Sequence, residues 1–301
     1  MLKTLDWTRA DDAQRQAALA RPETTSQAAG AAAQIVDAIV LRGGDAVREY
    51  AMRLDGHAPA DFRVSAEAIA DAVDAFAPED AEAVRAAADA VRRFHVRQGY
   101  REYSVDTWPG VTASRRARPV DVAALYIPAG SAPLVSTLIM LAVPAQLAGV
   151  GRTLAVTPPG RDGEVDASVL AAAGILGIEE VYAIGGAQAI AALATGSAGL
   201  PRADKIFGPG NAYVAAAKSI VSSLPGGPGV DLPAGPSEVM VIADETADAE
   251  FVALDLLSQS EHDPSAQVVL VASVRLLSES RHGLPRVGAV VDARLGERLV
   301  S

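Results

Sequence analysis

Apolar positions in the first third of the chain recur at helical spacing. They predict helices over Gln27 to Val40, Ser65 to Phe76 and a third segment that starts at Pro78 and runs through Glu82 to Phe94. Within the second, Ile69, Val73 and Phe76 fall on one face, so residues 24 to 100 read as one amphipathic layer, broken by a turn at Arg42-Gly43-Gly44-Asp45. From Arg118 the pattern changes to short apolar runs separated by turns and alanine-rich helices. The strands predicted are Val120 to Ile127, Thr153 to Thr157, Glu180 to Ile184, Lys205 to Phe207 and Glu238 to Ala243. Such alternation implies parallel strands with crossover helices and ligands bound at the strands' carboxyl ends. Leu134 to Val150 is apolar but interrupted by Ser136, Thr137, Pro144 and Gln146, which makes it a buried helix and not a membrane span. The glycine- and proline-rich run Leu224 to Gly229 is either a hinge between lobes or an ordinary surface loop.

Composition narrows the chemistry. Half of the 301 residues are apolar and aromatics make up 4%, which suits α/β layers packed through small side chains. A net charge of −11 argues against a nucleic-acid partner. The sequence has no cysteine, so disulfides, thiolate metal sites and a cysteine nucleophile are excluded. Met1 to Asp12 shows no signal-like apolar run, and the expectation is a cytoplasmic protein.

The informative residues follow the strands: Tyr126-Ile127-Pro128-Ala129-Gly130, Gly185-Gly186-Ala187-Gln188, Gly208-Pro209-Gly210-Asn211 and Pro233-Ala234-Gly235-Pro236-Ser237-Glu238. Glycine at such corners lets a ligand approach the backbone, and a helix start supplies free N–H groups. Tyr213 stands where a third glycine of the dinucleotide fingerprint belongs, so that pattern fails. In the sharpest local run, Leu256 to Pro264, Gln259 and His262 lie three apart near a helix end. Thr246 is the expected cap of that helix, with Phe251, Val252, Leu254 and Leu257 toward the core. The Gln259/His262 spacing suits one cation held by nitrogen and oxygen, but a dipole-favoured terminal histidine beside a solvated amide is the commoner arrangement. His57 and His95 read as surface residues, and Arg115, Arg116 and Arg118 as a solubilising loop cluster.

Five runs, taken in order, resemble the histidinol dehydrogenases: Tyr126 to Gly130 with Pro133 to Thr137, Ile184 to Leu193, Lys205 to Val214, Asp231 to Val239 and Asp255 to Pro264. Arg42 to Tyr50 is also similar, and the likeness extends from about Asp6 to Leu270. The resemblance implies a zinc- and NAD-dependent oxidation of histidinol to histidine through the aldehyde, by two hydride transfers, as the last step of histidine biosynthesis. By resemblance, Tyr126, Gln188 and Asn211 match NAD-contacting positions and Ser237 a substrate contact. Gln259 and His262 match two zinc ligands that also face the substrate. The departures near these residues are small: Pro128-Ala129-Gly130 in place of Pro-Gly-Gly, and a slightly long Thr157 to Asp166.

After Leu270 the family pattern carries a Glu-His general base pair, an aspartate and a histidine that complete the zinc shell, and terminal domains that form a homodimer. Residues 271–301 instead hold five arginines against three acids, with His282 the one histidine after His262. The expectation is a truncated or frameshifted member with no assignable catalytic base. Its alternatives are an inactive homologue that binds NAD weakly and a fragment completed by a partner chain. The predicted fold is α/β with two Rossmann-like lobes of mainly parallel sheet flanked by helices, lacking the C-terminal part of the family fold. Its expected divisions are an arm (1–23), a first lobe (24–120 with 238–270), a second lobe (121–237) and an atypical tail (271–301).

Overall fold

The computed structural model describes residues 5–6, 9–20, 26–129, 134–231, 238–244, 246–260, 267–272 and 299–300. They fall into two compact units, Ser26–Ala234 and Met1–Thr25 with Gly235–Ser301.

The terminal unit begins with α1 (Asp12–Leu19), whose start is closed by a reciprocal cap in which Asp11 and Gln14 each accept the other's backbone N–H. The larger unit opens with α2 (Ser26–Arg42), α3 (Gly44–Leu54), α4 (Ala66–Ala75) and α5 (Pro78–His95). A hairpin of β1 (Tyr103–Trp108) and β2 (Val111–Arg115) follows. Strands and helices then alternate: β3 (Val122–Tyr126), α6 (Val135–Leu147), β4 (Arg152–Thr157), α7 (Ala167–Ile175), β5 (Val181–Ala183), α8 (Gly186–Thr195), β6 (Lys205–Phe207), α9 (Ala212–Ser223) and β7 (Gly229–Val230). The sheet order is β5-β4-β3-β6-β7, and every neighbouring pair is parallel.

The pleat sends alternate strand residues into two cores. Ala124, Tyr126, Leu154, Val156, Tyr182 and Ile206 face one side, where Ile35, Val36 and Ile39 of α2 meet α8 and α9. Leu125, Ile127, Ala155, Val181 and Ala183 face the other, with Leu138 and Val143 of α6, Val169 of α7 and Ile69 of α4. The sheet is covered on both faces, as an all-parallel sheet requires. Gly174 lets α4 and α7 close up, since a Cβ there would lie 2.5 Å from Val73 Cγ2.

The remaining elements are β8 (Glu238–Ala243), α10 (Ala249–Ser260), β9 (Gln267–Ala272) and β10 (Leu299–Val300), which form a second parallel sheet in the order β10-β9-β8. Ala243, Val268 and Leu270 pack on Val252 and Leu256, and Gln267 Nε2 donates to the carbonyl of Ala18 at 3.3 Å. Two parallel sheets flanked by helices are the predicted α/β class.

Several expectations need correction. The helices of residues 26–95 belong with the strands of residues 122–230, not with 238–270, because their apolar stripes cover both faces of the larger sheet. Leu224 to Gly229 is no hinge between the units. Gly227 donates to the carbonyl of Leu224 at 2.8 Å in a turn, and Gly229 enters β7 inside the same unit. Asp248, not Thr246, caps α10, accepting from the N–H groups of Glu250 and Phe251, while Thr246 donates to Asp244. Val252, Ala253, Leu256 and Leu257 of that helix are buried, whereas Phe251 and Leu254 are exposed. His57 sets its ring against Gly163 and is half-buried. The arginine cluster is part of the hairpin: Arg115 stacks over the Tyr100 ring at 4.1 Å and Arg116 pairs with Glu102 at 3.2 Å. Among the described residues no helix is long and apolar enough to cross a membrane, and the apolar run after Leu134 is the buried α6.

Candidate functional site

From β3 the chain winds outward through β4 and β5, then returns past β3 to add β6 and β7 on its other side. Strand order therefore reverses between β3 and β6, with α6 after β3 packed on one face and α9 after β6 on the other, and it is at the carboxyl edge beside such a reversal that α/β sheets bind ligands. Tyr126 ends β3, and Gly208-Pro209-Gly210-Asn211 follows β6. The two loops meet closely, since a Cβ on Gly208 would stand 2.1 Å from the Tyr126 carbonyl oxygen. Gly208 also has φ +116°, where a side chain is strained whatever the space.

An ion pair between buried Lys218 and half-buried Asp231 holds this glycine from both sides. Lys218 of α9 donates from Nζ to the Gly208 carbonyl at 2.8 Å and to Asp231 Oδ1, while Asp231 Oδ2 accepts the Gly208 N–H at 2.7 Å. Asn211 completes the corner as the cap of α9, its Oδ1 accepting from Tyr213 and Val214, each at 3.1 Å.

The corner after β5 is built differently. Gly186 donates its N–H to the Tyr126 hydroxyl at 3.0 Å. Asp55, at the end of α3, accepts on Oδ2 from the Gly185 N–H at 3.2 Å and from Gln188 Nε2 at 3.1 Å. The first two N–H groups of this corner are therefore engaged, contrary to the free helix start expected there. Burial pushes the Tyr126 phenol up to about 12 despite its bond from Gly186, and nearby Asp55 adds to the rise. Burial also raises the Asp55 carboxyl, against the lowering effect of its bonds to Gly185 and Gln188. The sign follows: a native carboxyl with a raised pKa holds its proton to higher pH than the unfolded chain does. Its contribution to stability therefore declines as pH rises from the ordinary carboxylate range through that raised value. Asp55→Asn is expected to flatten this part of a stability-against-pH profile measured by urea unfolding, and an unchanged slope would count against it.

Of the sequence-predicted residues, Tyr126 and Gln188 are brought together around the Gly185-Gly186 corner, whereas Asn211 follows β6 at the same carboxyl edge and shares no hydrogen bond with them. Asp55, Lys218 and Asp231 were not singled out. Ser237 and His262 lie outside the described residues. Gln259 lies in the last turn of α10 with a buried Nε2 that has no hydrogen-bond partner. Among the described residues no three histidine, aspartate or glutamate side chains gather closely enough to hold a metal. Gln259 is one donor toward a zinc shell that needs about four.

The sequence model of histidinol dehydrogenase matches residues 19–289. The chain belongs to the histidinol dehydrogenase family. A histidinol dehydrogenase from Xanthomonas euvesicatoria pv. vesicatoria is 47% identical over 274 residues, covering 90% of this chain and 63% of that protein. One from Salmonella typhimurium is 44% identical over 269 residues, covering 89% and 61%. The crystal structure of histidinol dehydrogenase from Elizabethkingia anophelis superposes with a TM-score of 0.86 at 35% identity, covering 99% of this chain and 70% of that one. The chain thus spans somewhat under two thirds of the length of these two curated relatives. The family match runs past Leu270, where the resemblance was expected to stop, and takes in much of the supposedly foreign tail.

Proposed function

We propose that this chain binds NAD at the carboxyl edge of its larger sheet and takes part in the oxidation of histidinol to histidine through the aldehyde. The observation that carries the reading is the reversal of strand order between β3 and β6, because Tyr126, Gln188 and Asn211 all follow strands at the carboxyl edge of that sheet. The residues fit such a ligand. Gly208 brings the two loops within reach of one molecule, and Gln188 Oε1 is a buried acceptor without a partner. NAD, when bound, accepts hydride in each of the two oxidation steps.

These 301 residues offer no thiol for a thiohemiacetal, which favours an aldehyde step through the hydrated aldehyde. Ser237 would contact the substrate, and Gln259 with His262 would supply two donors to a zinc ion that orients it. The described residues do not assemble the rest of that shell. The wider reading is a cytoplasmic enzyme for a small-molecule substrate, with the homodimer of the family as its assembly.

Two measurements on the 301-residue chain test this: thermal unfolding with and without NAD, and NADH formation from histidinol, NAD and zinc. The expected result is a rise in unfolding temperature that grows with the logarithm of NAD concentration, because a ligand selective for the native state stabilises it. An unmoved transition at millimolar NAD overturns the binding reading. Stabilisation without NADH formation confines the chain's own role to nucleotide binding.

A further inference from the structure

The nucleotide reading does not explain why a half-buried carboxylate should be set against the start of α8. Asp55 comes from α3, 130 residues before Gly185, and takes both of its bonds from the corner on one oxygen. We propose that Asp55 is a positioning residue that sets the orientation of the Gln188 amide, so that Gln188 presents Oε1 as a fixed acceptor to an N–H or O–H group of the ligand. The proposal rests on the carboxyl edge of the larger sheet being a nucleotide site.

The geometry leaves the amide little choice. Gln188 is 0% exposed, its Nε2 faces Asp55, and its Oε1 has no partner. An ionised carboxylate has only acceptors, so turning the amide over would set Oε1 against Oδ2 and forfeit the bond. Oε1 lies on the side of Gly186, where an added Cβ would stand 2.5 Å from it, so any side chain at that position would press on the oxygen. A buried acceptor left unpaired is costly, and a donor brought by a ligand would satisfy it.

The same arrangement selects the part of the ligand that fits. The N–H groups of Gly185 and Gly186 are already engaged by Asp55 and the Tyr126 hydroxyl. A phosphate would find those backbone donors taken and a carboxylate nearby, whereas a ribose hydroxyl or a carboxamide N–H offers the donor that Oε1 needs.

A double-mutant cycle on NAD affinity, read by titration calorimetry, tests the coupling. Asp55→Ala is expected to weaken NAD about tenfold in the native background, the loss of one well-placed hydrogen bond, but less than about twofold when Gln188→Ala is already present. Asp55→Asn, which keeps an acceptor oxygen, is expected to stay within about threefold of the native chain. Equal losses from Asp55→Ala in both backgrounds, or an Asp55→Asn variant as weak as Asp55→Ala, overturn the proposal. A second readout needs no nucleotide. The side-chain amide resonances of Gln188 in an amide-correlation NMR spectrum should be shifted and slowly exchanging in the native and Asp55→Asn chains, and free-amide-like in Asp55→Ala. If the unmodified chain does not bind NAD, the nucleotide reading falls and these resonances alone decide whether Asp55 holds the amide.

Discussion

Truncating Lys218 to alanine is expected to lower the stability of the chain by about 3 kcal/mol, toward the lower end for breaking a buried ion pair. The side chain is 6% exposed and joins two parts of the strand-end loop, the Gly208 carbonyl and Asp231. Its removal strands the Asp231 carboxylate without a counter-charge and leaves a carbonyl without its donor. Because the Asp231 side chain is 28% exposed, water recovers part of that loss, which is why the upper end near 5 kcal/mol is not expected. Urea unfolding followed by far-ultraviolet circular dichroism measures the change. A midpoint shift worth less than about 1 kcal/mol would mean that the pair behaves as a surface ion pair. Lys218→Met, which keeps the apolar stem, separates the electrostatic loss from the packing loss.

Gly208→Ala is expected to be at least as damaging, about 3 kcal/mol or more, and to abolish NAD-dependent stabilisation. The added carbon would meet the Tyr126 carbonyl at 2.1 Å and Leu141 Cδ1 at 3.1 Å, so a backbone oxygen of the central strand has to move. Gly110→Ala in the hairpin is the control. Its φ of +80° is also left-handed, but an added Cβ meets nothing within 4 Å, so only backbone strain of about 1 kcal/mol is expected. If the two variants unfold at the same midpoint, the close approach at Gly208 is not what stabilises the loop.

The main strands and helices were legible because their apolar periods are local. Lys205 to Phe207 and Glu238 to Ala243 lie where the pattern put them, and Val120 to Ile127 contains β3 with a margin of one or two residues. The hairpin was missed although Tyr103-Ser104-Val105-Asp106 and Val111-Thr112-Ala113-Ser114 alternate and Pro109-Gly110 marks the turn; the alternating runs are short, and both faces of the ribbon are exposed, so no buried face accompanies them. Periodicity reveals that α2 and α4 have an apolar stripe without saying which sheet the stripe covers, and the lobe assignment failed for that reason. Within the site, the glycine corners and the family motifs drew attention to Tyr126, Gln188 and Asn211. Asp55 escaped because its meaning depends on partners 130 and 133 residues away, and nothing in Leu54-Asp55-Gly56 distinguishes it from a turn aspartate.

The placement of α2 bears on how the protein is made. Ile35, Val36 and Ile39 of this helix are buried together with residues of α8 and α9, which begin at Gly186 and Ala212. A ribosome adding roughly 5 to 20 residues per second needs on the order of ten to thirty seconds to reach those helices after finishing α2. Throughout that interval the nascent chain carries an apolar helical stripe that has α3 beside it but not yet α8 or α9. The early helices are therefore where a chaperone should bind during translation, and where slowed elongation before α8 should raise the aggregated fraction.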